Sequence, residues 1–165
     1  MIAHETSFRV RYAETDQMGV VYYANYLVWM EIGRAEYCRA VGLCYADMEA
    51  ADGILLAVVD AHCRYHASAR YDEEIAVATS ISEANRRLVE FRYEIRNRGT
   101  RVLLASGETR HVFLSRGMKP VKLPEKYHAA FGIGARTWPG ATKSKTGGGS
   151  SESPKPNRTT RWHKS

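Results

Sequence analysis

The segment YAETDQMGVVYYANY, residues 12–26, contains the parts needed to attack a carbonyl group. Asp16 offers a carboxylate, Gly19 allows a sharp turn, and an apolar helix is predicted to begin near Tyr23. A helix start carries unpaired backbone N–H groups and a partial positive charge, which together polarise a carbonyl oxygen. Asp16 would then act as nucleophile or as general base for water. The same residues are also typical of a turn whose acid caps the loop and whose tyrosines pack on a sheet.

The flanking patterns predict the elements that position this segment. Residues 7–12 alternate polar and apolar side chains, as a half-buried strand does. Residues 23–41 repeat apolar and small side chains at helical spacing, which predicts a long helix ended by Gly42. After a short polar stretch at 45–53, four segments have strand patterns: residues 55–65, 74–82, 88–96 and 101–114. The sequence Asn97-Arg98-Gly99-Thr100 predicts a hairpin turn between the last two.

This order of elements predicts an α+β fold in which one long helix fills the concave face of a curved antiparallel sheet. We expect residues 1–135 to form this single domain. Residues 136–165 are rich in Gly, Ser, Lys and Arg and predict a disordered basic tail. The net charge of +6 belongs to this tail, because residues 1–135 contain 17 basic and 17 acidic side chains. The charge therefore gives no reason to expect a nucleic-acid partner for the domain.

The compartment is predicted from the cysteines and from the apolar runs. Three cysteines without a C-x-x-C pair fit a reducing compartment better than a disulfide framework. The segment MIAHETSFRV has no apolar core, so we expect no secretory signal. The longest aliphatic run, ILLAVV at residues 54–59, is too short to span a membrane. We expect a cytoplasmic protein without a membrane partner.

Other candidate sites have weaker signals. His62 and His66 flank Cys63, but on a strand they stand too far apart for one zinc ion without a bend, so we expect no metal site. The sequence lacks a P-loop, a G-x-G-x-x-G fingerprint and a G-x-S-x-G elbow, which leaves nucleotide hydrolysis and serine hydrolase chemistry without support. Four basic residues are candidates for phosphate contacts or for solvated surface charge: Arg64, Arg86, Arg87 and Lys119.

Three segments resemble the hotdog-fold acyl-CoA thioesterases of the 4-hydroxybenzoyl-CoA thioesterase type, and also the Tol-Pal-associated and dihydroxynaphthoyl-CoA thioesterases. They are YAETDQMGVVYYANYLVWMEIGRAEYCRAVG, RYHASARYDEEIAV and FLSRGMKPVKLPEKY. The first is long and specific; the other two are weak alone, and Ser68 stands where proline is frequent in the family. The resemblance covers about residues 6–128 and implies the hotdog fold.

The resemblance also implies roles for individual residues. Asp16 matches the catalytic carboxylate, and the backbone N–H of Tyr23 matches the group that polarises the thioester carbonyl. Tyrosine rather than histidine at position 23 favours the aromatic-acyl branches. Glu31 matches an acid that meets the acyl group, although it could equally pair with Arg34 one turn away. We expect substrate contacts from six residues: Tyr12, Gly19, Val20, Tyr22, Trp29 and Glu31.

The resemblance thus implies hydrolysis of an acyl-CoA thioester to free acid and CoA, without metal or cofactor. Members of this family pair their sheets and bind acyl-CoA between subunits, so a homodimer or homotetramer is expected. Two alternatives remain at this point. One is a hotdog module that binds acyl-CoA without turnover, and the other is a hotdog dehydratase or hydratase, whose usual histidine is not evident near residue 23.

Overall fold

The computed structural model describes residues 3–134. The predicted tail at 136–165 lies outside the described residues. Five strands form one antiparallel sheet in the order β1-β3-β4-β5-β2, and α1 lies against β1 and β3. The elements are β1 (His4–Arg9), α1 (Asn25–Ala40), α2 (Tyr45–Asp52), β2 (Ile54–Tyr65), β3 (Glu74–Ala84), β4 (Leu88–Asn97) and β5 (Leu103–Ser115). The predicted α+β hotdog architecture is confirmed.

Three differences from the sequence predictions lie between β1 and β2: two wrong element boundaries and one missed helix. The first strand ends at Arg9 rather than residue 12, because residues 12–14 form a short 3-10 turn. Helix α1 begins at Asn25, two residues later than predicted, because Tyr23 and Ala24 lie in the preceding turn. The polar stretch after α1 is helix α2, which ends at Gly53 with a φ of 64°. Its single buried side chain, Met48, gives it too weak an apolar pattern to be recognised in the sequence.

Helix α1 packs on the concave face of the sheet through large apolar side chains and one glycine. Trp29 and Met30 are fully buried, and Tyr37 contacts Phe91 with ring centroids 5.9 Å apart. A Cβ atom at Gly33 would stand 2.6 Å from the Thr79 hydroxyl and 2.7 Å from Val77, so only glycine lets the helix approach β3 this closely. The contact fixes the position of the helix along the sheet.

The sheet has two ends with different contents. Its loop end holds residues 10–24, which connect β1 to α1, residues 66–73, which connect β2 to β3, and the β4–β5 turn at residues 98–102. Its hairpin end holds the β3–β4 turn at residues 85–87, the start of β2 and the segment after β5. The eleven residues of β3 run from one end to the other, a distance of roughly 35 Å.

The two edge strands also differ. β1 is six residues long and alternates half-buried with exposed side chains. β2 is twelve residues long and has a bulge between Val58 and Asp60. Val58 and Val59 are 51% and 55% exposed there. No helix among residues 3–134 is long and apolar enough to cross a membrane.

Candidate active site

The acidic loop at residues 15–21 is closed by its own backbone. Thr15 and Val21 form an antiparallel bridge across its base. The N–H of Asp16 donates to the carbonyl of Val20 at 2.9 Å, and the N–H of Gly19 donates to the carbonyl of Asp16 at 2.9 Å. Gly19 has a φ of 72°, which favours glycine in this turn. The loop therefore holds Asp16 through main-chain contacts rather than through a flexible tether.

The Asp16 carboxylate is half-buried and has free hydrogen-bonding capacity. Its Oδ1 accepts the N–H of Met18 at 2.8 Å. Within residues 3–134, Oδ2 accepts no hydrogen bond and the carboxylate forms no ion pair. An ionised carboxylate with an unoccupied oxygen can attack a carbonyl carbon or take a proton from water.

The start of helix α1 is uncapped. Ala24 occupies the N-cap position and makes no side-chain capping bond. The first N–H group at the helix start with a backbone acceptor is that of Asn25, which donates to the carbonyl of Tyr22 at 3.0 Å. The N–H groups of Tyr23 and Ala24 meet no acceptor among residues 3–134. These donors and the helix dipole form a site for a developing negative charge on oxygen.

A tyrosine-walled cleft of about 260 Å³ opens beside this helix start. The Tyr65 hydroxyl donates to the carbonyl of Tyr23 at 3.1 Å, and the Tyr26 hydroxyl accepts the N–H of Ala69 at 3.1 Å. Partial desolvation, together with the neighbouring Cys63, raises the pKa of Tyr65 to about 12, so its phenol stays protonated. The cleft is lined by Val21, Tyr23, Tyr26, Tyr65, His66, Ala67 and Ser68.

Several expected substrate residues lie around the acidic loop but outside this lining. Asp16 and Val20 pair with each other across the loop, and neither lines the cleft, which the loop reaches at Val21. Tyr12 is 79% exposed and packs edge-on against Tyr71. Tyr22 is exposed and packs against the ring of Tyr23 at 4.5 Å.

The prediction that Trp29 contacts substrate is wrong. Its side chain is 0% exposed and packs between Phe8 and Tyr26, and its indole N–H donates to Glu14 at 3.2 Å. The residue faces the sheet because it lies on the buried stripe of α1.

Glu31 is exposed on α1, and the pairing with Arg34 considered above is not found within residues 3–134. The Arg34 guanidinium instead turns inward, where its Nη1 lies 3.4 Å from His111 Nε2. Glu31 therefore presents a carboxylate on the outer face of the helix, two turns beyond Tyr23.

The four basic candidates separate into two places. Arg64 lies on β2 and lines a hollow of about 400 Å³ on the outer face of the sheet, together with His62 and Glu108. The other three lie at the hairpin end of the sheet. Lys122 joins them there, and none of the four forms an ion pair within residues 3–134: Arg86, Arg87, Lys119 and Lys122.

Glu14 is a residue of the site that the sequence interpretation missed. It is 4% exposed and accepts hydrogen bonds from Arg11 and Trp29. Burial alone would raise the pKa of Glu14, but these hydrogen bonds outweigh it and hold the pKa below its ordinary value. The only signal in the sequence is Arg11 three positions earlier, a spacing that also occurs in exposed turns.

No group of three His, Cys, Asp or Glu side chains between residues 3 and 134 is arranged to hold a metal ion. His66 Nε2 lies 2.9 Å from the Ser106 hydroxyl instead. All three cysteines are free thiols.

The sequence profile of the thioesterase-like superfamily matches residues 10–131, which include the acidic loop, the cleft and the whole sheet from β2 to β5. The chain belongs to this superfamily. The matched range covers both ends of the sheet and stops short of the basic tail.

Named relatives of this superfamily member agree with the match. The putative acyl-CoA thioesterase YneP of Bacillus subtilis is 35% identical over 134 residues, covering 79% of this chain and 96% of the relative. The acyl-CoA thioesterase YbgC of Haemophilus influenzae is 30% identical over 123 residues, covering 74% and 90%. A solved structure of the DHNA-CoA thioesterase from Staphylococcus aureus superimposes with a TM-score of 0.76 at 35% identity, covering 80% of this chain and 90% of that one.

Proposed function

We propose that this protein hydrolyses an acyl-CoA thioester to the free acid and CoA. The observation that carries the proposal is the uncapped start of α1 together with a carboxylate that has an unoccupied oxygen on the loop leading into that helix. Thioester hydrolysis needs these two groups, one to stabilise the oxyanion and one to deliver the nucleophile. The names of the relatives YneP and YbgC support the same reaction.

In the proposed reaction the thioester oxygen accepts the N–H of Tyr23, and the dipole of α1 stabilises the charge that develops on attack. Asp16 acts in one of two ways. As general base it takes a proton from water, the hydroxide adds to the carbonyl carbon, and the C–S bond breaks to release the CoA thiolate. As nucleophile it forms a mixed anhydride with loss of thiolate, and water then hydrolyses the anhydride. In both routes one water is consumed and the thiolate ends as the protonated thiol.

The proposed acyl group is aromatic. The cleft beside the helix start has walls from Tyr23, Tyr26 and Tyr65, which suit a flat ring better than a flexible chain. The DHNA-CoA thioesterase that resembles this chain is named for an aromatic acyl-CoA. Glu31 is exposed and free of an ion pair within residues 3–134, so it can accept a phenolic hydroxyl.

We further propose a dimer formed through the free edge of β2. This edge strand is long and exposes Val58 and Val59, whereas the opposite edge strand β1 is short and presents Glu5 and Arg9. A twofold axis across β2 pairs the two copies antiparallel. Because β2 runs from the hairpin end to the loop end, this pairing sets the hairpin end of one subunit beside the loop end of the other.

The same arrangement suggests where CoA binds. Within one subunit the hairpin-end cations stand roughly 35 Å from the acidic loop, too far for the phosphates of a bound acyl-CoA. In the proposed dimer each loop end faces the partner's hairpin end. Arg86, Arg87, Lys119 and Lys122 of the partner subunit would then bind the CoA phosphates. Cytoplasmic location belongs to this proposal, supported by the three free cysteines.

The test is thiol release by wild type and Asp16→Asn across short, long and aromatic acyl-CoAs. We expect wild type to turn over and Asp16→Asn to lose about 10²- to 10⁴-fold in kcat. Asp47→Asn is the matched control, since Asp47 is exposed on α2. Binding of acyl-CoA without thiol release would favour the non-catalytic module, and loss of an enoyl absorbance would favour a hydratase.

A further inference from the structure

Glu14 receives hydrogen bonds through its buried carboxylate from both sides of the site. Oε2 accepts the backbone N–H of Arg11 at 2.7 Å. Oε1 accepts the guanidinium of Arg11 at 3.1 Å and the indole N–H of Trp29 at 3.2 Å. Arg11 precedes the acidic loop, and Trp29 lies in the second turn of α1. The carboxylate therefore joins the entry of the loop to the helix.

The main chain of the same residue makes a second set of contacts. The carbonyl of Glu14 accepts the N–H of Tyr22 at 2.9 Å and the side-chain amide of Asn25 at 2.9 Å. Tyr22 leaves the loop, and Asn25 is the first residue of α1. Glu14 thus accepts five hydrogen bonds, which come from the loop entry, the loop exit and helix α1.

We propose that Glu14 is a positioning residue that holds the Asp16 carboxylate in register with the uncapped start of α1. Asp16 follows Glu14 by two residues, and Tyr23 follows Tyr22 directly. The reacting groups therefore sit on the two chain segments that Glu14 joins. This role rests on the proposed thioesterase function and adds to it a residue that never touches substrate.

The position requires an ionised carboxylate rather than an amide. All three groups that face its side chain are N–H donors, and a carboxylate offers only acceptors. In Glu14→Gln the amide NH₂ would face at least one of these donors, so one hydrogen bond would be lost. The residue is 4% exposed, so water cannot replace the lost bond.

The first experiment compares kcat and KM of wild type and Glu14→Gln with the acyl-CoA that wild type hydrolyses best. We expect kcat to fall about 10- to 100-fold, since small misplacement of reacting groups has such effects. KM should stay within about twofold, because Glu14 contacts no group proposed to bind CoA. Glu36→Gln is the matched control: Glu36 also pairs with an arginine three residues away, but on the outer part of α1.

A second variant separates positioning from loss of fold. Trp29→Phe keeps a buried aromatic ring and removes the N–H that Glu14 accepts, together with part of the indole volume. We expect kcat to fall about 3- to 10-fold with KM unchanged. If Trp29 acts through Glu14, the double variant should be no slower than Glu14→Gln alone, whereas independent damage to the fold would multiply the two losses. If Glu14→Gln does not fold, the kcat and KM of Trp29→Phe test the positioning role by themselves.

The outcomes are distinguishable. Reduced kcat with constant KM in both variants supports the role. Three outcomes overturn the role and leave the thioesterase proposal intact. They are a wild-type kcat in the folded Glu14→Gln protein, a rise in KM alone, and losses in kcat that multiply in the double variant. If Glu14→Gln does not fold, unchanged kcat in Trp29→Phe overturns the role as well. Absence of thiol release by wild type on every acyl-CoA overturns the proposed function and the positioning role together.

Discussion

The two ends of the sheet differ in their charged side chains. At the loop end two carboxylates are held by neighbouring donors, Glu14 by Arg11 and Trp29 and Glu74 by Arg98, while Asp16 forms no ion pair within residues 3–134. At the hairpin end four cations stand exposed without an ion pair among residues 3–134: Arg86, Arg87, Lys119 and Lys122. Bond-making chemistry needs groups fixed to fractions of an ångström, whereas capture of a phosphate needs charge that is free to adjust. The proposed function accordingly assigns the chemistry to the loop end and phosphate binding to the hairpin end.

Among changes that leave the acidic loop intact, the largest effect should come from preventing the dimer that brings the two ends together. Val58→Lys with Val59→Lys places two charges on the free edge of β2, which should yield a monomer. We expect kcat/KM to fall about 100-fold, equivalent to roughly 3 kcal/mol of lost binding to the transition state. Sedimentation velocity and thiol release measure the two effects. Ser7→Lys on the opposite edge strand is the control and should change neither. A wild-type monomer with full activity would contradict the dimer.

A smaller effect should follow from removing charge at the hairpin end alone. We expect Arg86→Met with Arg87→Met to raise KM about tenfold with kcat within about twofold, because exposed cations contribute modestly to phosphate binding. Arg98→Met is the matched change at the loop end, where the arginine pairs with Glu74, and it should leave KM unchanged. Equal KM effects in both variants would show that the ends do not differ in CoA binding.

Between the two ends, Glu31 on the outer face of α1 should affect only the choice of substrate. Glu31→Gln removes the charge that would accept a phenolic hydroxyl. We expect kcat/KM to fall about threefold to tenfold for a hydroxylated aromatic acyl-CoA and to stay constant for the unsubstituted one. Equal losses on both substrates would assign Glu31 to something other than the ring hydroxyl.

The sequence predicted the loop end better than the hairpin end. Asp16, Gly19 and Tyr23 lie within eight residues, so spacing alone placed a carboxylate, a turn and a helix start together. Their neighbour Glu14 was missed because nothing in YAE distinguishes a buried acid from an exposed one. Its burial depends on Trp29, fifteen residues later, turning inward on the helix. The same inward turn made the predicted substrate contact of Trp29 wrong.

At the hairpin end the grouping depends on long-range pairing. Arg86 and Arg87 come from the β3–β4 turn, whereas Lys119 and Lys122 follow β5. They meet because the N–H of Leu123 donates to the carbonyl of Arg86 across the end of the sheet. Arg64 was grouped with them by residue type alone. It lies on β2, and its side chain lines the hollow on the outer face of the sheet. Residue type gave the charges, and only the register of the strands decides which of them share a surface.

The smallest effect on turnover should come from replacing His111, a buried histidine that belongs neither to the acidic loop nor to the group of hairpin-end cations. His111 is fully buried beside the Arg34 guanidinium, and its Nδ1 has no partner within residues 3–134. Burial, with the nearby guanidinium, lowers the pKa of His111 to about 3, so the folded protein keeps the ring neutral. The unfolded chain protonates it below about pH 6.5. Between these values the unfolded state binds one proton more, so stability is complete above pH 6.5 and falls as the pH drops.

We expect this histidine to contribute about 1.4 kcal/mol per pH unit to the fall in unfolding free energy between pH 6.5 and pH 4. Urea unfolding at several pH values measures it. His111→Gln should lose that part of the slope and keep wild-type kcat, since the residue lies away from the acidic loop. Thr109→Val is the matched control: it removes the 2.8 Å contact with His111 Nε2 without removing the titrating ring, so it should lower stability at every pH and retain the slope. An unchanged slope in His111→Gln would mean that the ring is protonated in the folded state. The Arg34 guanidinium, 3.4 Å from the ring in this structure, would then have to move away from it.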